Sequence, residues 1–214
     1  MTGCRTVAGR LPAHTSDTSP ADTNGPNPLE TPTMLPVIDT ERLSLRELRL
    51  CDGRAMEAFQ NTEDHCRLQA VEPEELANGT ERIRRYLEHR GPDDARRLFA
   101  FAAIEKATGA VVGQVSLSRM MHPAIASLGF GVAAECAGRG FATEMAGPVM
   151  AFGFDTVGVN RITAEIAIEN AASQRVAEKL GMTRQGVARD CIFAQGRWWT
   201  EALYARLARE HRAA

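Results

Sequence analysis

The chain has little of what would send it to a nucleic acid, a membrane or a metal. Its 25 Lys+Arg against 27 Asp+Glu leave a formal net charge of -2, so no single-sign field recruits nucleic acid. The longest apolar run, residues 98–104, falls far short of the roughly 20 residues that cross a bilayer. No apolar core follows the amino terminus, as a secretory signal needs, and the arginine density of a transit peptide is missing. The five cysteines (Cys4, Cys51, Cys66, Cys136 and Cys191) are odd in number and scattered. No Cys-x-x-Cys or His-x-x-x-His spacing suggests a metal, and reduced thiols in a cytoplasmic protein are the simplest account. His65, His89 and His122 also lack metal-like spacing and receive no role.

Proline is unevenly placed. Six of the ten fall within residues 1–36, among Thr, Ser, Asp, Asn and Gly. Such a stretch has little to bury and reads as a disordered tail over residues 1–35. One domain, residues 36–214, is then expected, long enough to bury a sizeable core. Met34 is a candidate natural start and a regulatory tail is the alternative; intact mass of the native protein distinguishes them.

What is present centres on Ala137-Gly138-Arg139-Gly140-Phe141-Ala142-Thr143-Glu144, a glycine-rich turn between an expected strand and helix. Gly138 and Gly140 let the backbone curl and a ligand approach it closely. The first N–H groups of the helix lack intrahelical partners and carry partial positive charge, which suits a phosphate. Arg139 offers a further charge-assisted contact. An ordinary strand-to-helix turn is the alternative. No Gly-Lys-Ser/Thr follows, and Thr143 stands where a dinucleotide fingerprint needs its third glycine.

These residues, with Gly129-Phe130-Gly131-Val132 before them, resemble the acetyl-CoA loop of the GNAT N-acetyltransferase superfamily. Further blocks resemble its RimJ/RimL-like branch. They are Thr40-Glu41-Arg42-Leu43-Ser44-Leu45-Arg46, Asn170-Ala171-Ala172-Ser173 with Glu178-Lys179-Leu180-Gly181-Met182, and Gly196-Arg197-Trp198-Trp199 with Leu203-Tyr204. Together they span about residues 36–209 in the branch's order.

Periodicity and punctuation set an α/β order: strand 42–50, helix 52–61 capped at Asp52, helix 75–89, strands 97–105, 111–118 and 124–132. Then come helix 141–157, kinked or bounded at Pro148, strand 161–168, helix 172–180 stopped by Gly181, and a hairpin of 182–193 with 198–207. The resemblance implies an α/β GNAT fold: one mixed, mostly antiparallel sheet, splayed at the two parallel strands 124–132 and 161–168 and flanked by about four helices. The pantetheine arm of acetyl-CoA, the co-substrate, would enter between those strands.

Acetyl transfer to an amine needs that amine neutral, although lysine-type amines titrate around 10.4 and α-amines around 8. The resemblance implies Glu165 as base; an exposed strand carboxylate is the alternative. The family's usual tyrosine acid would stand at Ala177, so that donor is absent, and Ser173 takes the place of the branch's serine. Its hydroxyl would bond the leaving sulfur, or else satisfy local backbone groups. A backbone N–H near Val132 would meet the oxyanion. Phe130, Val132, Ala137, Gly138, Arg139, Gly140, Phe141, Ala142, Thr143, Asn170 and Ser173 are the implied cofactor contacts, with Asn170 also capping the next helix. No metal is implied.

The resemblance implies an acceptor pocket around residues 59–72 and 192–199, and strand alternation lets at most one of Trp198 and Trp199 face inward. The acceptor is an amine: a protein α-amine, a small metabolite amine or an aminoglycoside-type antibiotic. The antibiotic would want an acidic cleft, for which Glu72, Glu74 and Glu75 are candidates. A catalytically weak acetyl-CoA sensor is the non-enzyme alternative. Monomers and homodimers both occur on the branch, and the sequence does not choose.

Overall fold

Alternating apolar residues build the sheet that carries everything else. The computed structural model describes residues 35–60, 62–72, 78–88 and 96–213. The tail expected over residues 1–35 therefore lies outside the described residues apart from Leu35, which packs into the core. The strands are β1 (Ile38–Asp39), β2 (Leu43–Glu47), β3 (Leu98–Glu105), β4 (Val111–Arg119), β5 (Ile125–Val132), β6 (Arg161–Ala167), β7 (Thr183–Ala194) and β8 (Arg197–Leu207). The helices are α1 (Gly53–Gln60), α2 (Glu63–Cys66), α3 (Gly79–Glu88), α4 (Phe141–Asp155), α5 (Ala171–Lys179) and α6 (Ala208–Arg212). Four of these have eight residues or more, and α2 and α6 are single turns.

All eight strands join one sheet in the order β1-β2-β3-β4-β5-β6-β8-β7. Every pairing is antiparallel except β5 with β6. That parallel contact lasts for three residue pairs, Ile125↔Arg161 to Ser127↔Thr163, although β5 runs on to Val132 and β6 to Ala167. The sheet is splayed where the family resemblance implies it. Each strand keeps its other neighbour: β4 pairs with β5 as far as Val132, and β8 with β6 as far as Ala167.

Successive strand residues point to opposite faces, so Leu128 and Gly131 mark the two sides of the sheet. On the Leu128 side lies α4, whose Gly153 approaches Leu117 so closely that an added Cβ would come within 2.7 Å of its Cδ1. There Phe152 meets Phe99 and Phe101 edge to face, at ring separations of 5.8 and 5.7 Å. Burying each such ring contributes about 2–3 kcal/mol. On the Gly131 side sits the α2 segment, whose His65 Cε1 is 3.4 Å from where a Gly131 Cβ would stand.

Of the two outcomes expected at Pro148, the boundary is absent: helix α4 continues through it. Its fully buried side chains Met145, Ala146 and Val149 hold the turn whose N–H proline removes. Asp52 lies in a 3-10 turn, Leu50–Asp52, rather than capping α1. Its carboxylate accepts two 2.8 Å hydrogen bonds from the Arg46 guanidinium and one of 2.8 Å from the Arg49 N–H. A bidentate arginine on the neighbouring strand outcompetes the cap. Gly181, with φ +72°, ends α5 as expected.

Candidate active site

The glycine loop adopts the conformation that its residues permit. After a 3-10 turn at Ala134–Cys136, Gly138 and Gly140 take φ of +75° and +83°. Nothing lies within 4 Å of a Cβ built on Gly138, so the approach to the loop backbone is open. Gly140 is the N-cap of the 15-residue α4 and makes no side-chain cap, leaving the first-turn N–H groups to an external acceptor. The donor set fits a pyrophosphate.

The flanking charges are turned away from that opening. Arg139 pairs with Glu105 and lies over Phe141, its guanidinium carbon 4.4 Å from the ring centre. Arg42 covers Phe141 at 4.5 Å and pairs with Glu144 at 2.6 Å. Glu144 also accepts from the Thr40 hydroxyl and the Arg42 N–H, at 2.6 and 2.8 Å. Burial pushes the Glu144 carboxyl up, but these donors together bring it below its ordinary value. The Thr40–Arg42 block and the loop motif therefore lock together, and neither arginine extends toward the cavity.

Beside the loop, a cavity of about 470 Å³ opens where β5 and β6 separate. Its walls include Phe130, Val132, Ala137, Gly138, Gly140, Phe141, Ala142, Thr143, Asn170 and Ser173. Of the cofactor contacts expected from sequence, these ten line it and Arg139 does not. Ala133 donates to Val112 on β4 at 2.9 Å, so the N–H of Val132, one residue earlier, points the other way into the gap. Asn170 caps α5: its Oδ1 accepts from the Ser173 N–H at 3.0 Å. Its Nδ2 donates to the Leu68 carbonyl at 3.4 Å, across the cavity mouth. Ala177, where the family places tyrosine, is fully buried in the core.

Glu165 stands outside this lining, exposed on the sheet face that Ser127 shares. The Ser127 hydroxyl donates to its Oε2 at 2.8 Å. Glu165 is the second residue past Thr163 of the last β5–β6 pair, which places it at the start of the splay. Glu201 lies close by on β8; burial, then the Glu165 charge, pushes its carboxyl above the ordinary range. This end of the gap is acidic.

The roof over the cavity comes from residues 62–72, and two residues without a sequence signal hold it. His65 lines the cavity with Phe59, Thr62, Leu68 and Gln69. Its ring meets Phe59 edge to face, and burial, then the nearby Arg82 cation, lowers its pKa below 6.5. Gln195, at the β7–β8 turn with φ +55°, reaches over from the far edge. Its Nε2 donates to the carbonyls of Cys66, Gln69 and Val71 at 2.9, 2.8 and 2.8 Å. Its own N–H donates to Glu72 at 2.9 Å, which occupies one of the carboxylates considered for an acidic cleft. Glu74 and Glu75 lie outside the described residues.

Trp199 is the inward tryptophan, fully buried, with its Nε1 donating to Ala194 at 3.0 Å. It packs with Ala167, Ala194, Ile192 and Ala70, and so supports the roof from below without lining the cavity. Trp198 is 58% exposed and meets Phe193 edge to face. One of the pair faces inward, as strand alternation requires, and neither lines the cavity. Among the described residues no helix is long and apolar enough to cross a membrane.

Comparison with known proteins agrees with this architecture. The acetyltransferase (GNAT) domain family matches residues 42–183. The chain is 27% identical over 173 residues to the uncharacterized N-acetyltransferase YnaD of Bacillus subtilis, covering 81% of this chain and 98% of that one. RimJ of Mycobacterium smegmatis, solved in complex with CoA-disulfide, superposes with a TM-score of 0.67 at 23% identity, over 78% of this chain and 83% of its own. Spermidine N-acetyltransferase from Vibrio cholerae, solved with CoA and spermine, gives 0.70 at 21% identity, over 81% and 99%. An open loop at the amino end of α4, a sheet parted beside it and a family match running through both make this chain a GNAT-family N-acetyltransferase, similar to the RimJ/RimL-like branch.

Proposed function

We propose that the protein transfers an acetyl group from acetyl-CoA directly to a primary amine in a ternary complex, the acceptor being a protein α-amine or a small-molecule amine. The observation that carries this is one continuous cavity, with the Gly138–Gly140 backbone at one end and the splayed strands at the other. The co-substrate supplies the acetyl thioester. GNAT relatives solved with CoA or its disulfide support that choice.

The loop N–H groups and the α4 terminus hold the pyrophosphate. Phe130, Val132, Ala142 and Thr143 line the path of the arm, and Asn170 fixes the start of α5 beside it. The Val132 N–H meets the negative charge that develops on the carbonyl oxygen. Ser173 hydrogen-bonds the departing sulfur, a weaker donor than the missing tyrosine. Glu165, with Glu201 behind it, meets the acceptor's ammonium at the acidic end of the gap and draws it in.

The test is incubation of the protein with radiolabelled acetyl-CoA and host lysate, separating protein from small molecules before counting. Label at protein amino termini supports a RimJ/RimL-like modifying enzyme; label in small molecules supports a metabolite or antibiotic acceptor. Tight acetyl-CoA binding with no transfer to any amine overturns the proposal in favour of a sensor. Loss of activity in Ser173→Ala, with acetyl-CoA affinity kept, is the expected result for the leaving-group role.

A further inference from the structure

The transfer above leaves one requirement open: the acceptor ammonium must lose a proton before its nitrogen can attack. Resting on that reading, we propose that His65 takes this proton, as the general base inside the cavity, and that Glu165 acts before it by receiving the cation. His65 belongs to the cavity wall together with Val132, Asn170 and Ser173, whereas Glu165 does not. Its ring lies against Gly131 on β5, one residue from the N–H assigned to the oxyanion. A Cβ at Gly131 would stand 3.4 Å from the imidazole Cε1, so the ring and the β5 backbone are in close contact.

The ring is also free to accept. The hydrogen bond in this turn, Thr62 Oγ1 with the His65 N–H at 3.3 Å, uses the backbone. Among the described residues neither imidazole nitrogen is engaged by a hydrogen bond. The groups facing the ring are the Phe59 edge from α1, the Gly131 backbone from β5 and the Arg82 cation from α3. Across the cavity stand Cys136, Lys179 and Arg175. Burial and Arg82 both disfavour the imidazolium, so the ring is neutral at pH 7 and keeps a lone pair. Glu165, in contrast, already accepts from Ser127.

The step balances simply. One ammonium proton passes to the imidazole; the neutral nitrogen adds to the thioester carbon, forming the C–N bond, and the C–S bond breaks with its electron pair leaving on sulfur. The second proton from that nitrogen goes to the thiolate near Ser173, and the imidazolium returns its proton to water. The products are the acetamide, free CoA and one proton in solution.

The test is steady-state kinetics of the full chain with acetyl-CoA, using spermidine and a short peptide with a free amino-terminal alanine as acceptors, across the acid and neutral range. Wild-type kcat should fall on the acid side with a midpoint below the ordinary histidine value of about 6.5. His65→Gln should lose that limb and lower kcat by about a hundred-fold or more, with the KM for acetyl-CoA unchanged. Glu165→Gln should keep the limb and raise the acceptor KM. His65→Ala, if it still binds CoA, should regain activity with added imidazole. A His65→Gln enzyme with unchanged kcat and acid limb overturns the assignment, as does loss of the limb in Glu165→Gln instead. A folded, CoA-binding His65→Ala that imidazole cannot rescue also counts against it. Wild-type protein inactive toward every amine would remove the transferase reading itself; wild-type turnover matched by His65→Gln removes His65 alone.

Discussion

Replacing Gln195 tests whether the cavity roof is held from the opposite edge of the sheet. Its Nε2 carries two protons shared among three carbonyls at 2.8–2.9 Å, all in the segment that bears His65, Leu68 and Gln69. At about 1 kcal/mol net per hydrogen bond, Gln195→Ala removes about 2 kcal/mol from the docking of that segment. Since 1.4 kcal/mol is tenfold, the docked-to-undocked ratio should fall about 30-fold. Amide hydrogen exchange reads this directly, because the N–H groups of Cys66, Leu68 and Gln69 are bonded within the segment to Thr62, His65 and Cys66. Their exchange should accelerate by up to about 30-fold while the core of β3 and β4 is unaffected, as expected for local opening. The acceptor KM should rise more than the KM for acetyl-CoA, whose loop does not depend on this contact. Gln195→Glu should be worse than alanine, since it sets a carboxylate against three carbonyl oxygens. Unchanged exchange over residues 62–72 in Gln195→Ala would refute the reasoning.

Three further outcomes follow from the site and its supports. Gly140→Val forces a β-branched residue to φ +83° at the amino end of α4, a strain of about 1–3 kcal/mol; CoA affinity by calorimetry should fall with it. Asn170→Ala removes the α5 cap and the tie to Leu68, so thermal denaturation should show a loss of about 1–2 kcal/mol, accompanied by weaker CoA binding. At Asp52, burial raises the carboxyl, but the Arg46 hydrogen bonds, the Arg49 N–H and both arginine charges outweigh it and leave the folded pKa lowered. Stability from this group is therefore full above the ordinary Asp value of about 3.9 and is lost as pH falls through the lower folded value. Asp52→Asn should cost about 2–3 kcal/mol at neutral pH in urea titrations and remove that part of the acid dependence.

The parts of this protein that follow from neighbouring residues could be read from the chain. Gly138 and Gly140 announce their own backbone, Asn170 and Ser173 form a cap within four residues, and the Trp198-Trp199 pair obeys strand parity. The parallel β5–β6 pair was implied by the family resemblance that the motif blocks carry, and the strand pairing agrees with it. What could not be read depends on partners far away in sequence. Gln195 bonds carbonyls 124 to 129 residues earlier, and His65 gains its setting from Gly131 and Arg82. A lone glutamine or histidine carries no periodic signal, so neither received a role. The same limit explains Asp52, whose pattern suits a cap until the Arg46 guanidinium arrives from β2.

The three-pair contact between β5 and β6 means that this sheet contains an edge in its middle. Beyond Ser127 and Thr163, each strand presents a row of peptide groups to a gap rather than to a neighbour. An amide-bearing arm lying in that gap would serve as a short substitute strand, so substrate binding would also complete the fold. Ligand at a hundred times its dissociation constant adds about 2.7 kcal/mol to stability, a large share of what a domain has. If acetyl-CoA is the ligand, as proposed above, a cell that runs short of it would hold a looser protein as well as an idle one, and the protein's lifetime would track that supply.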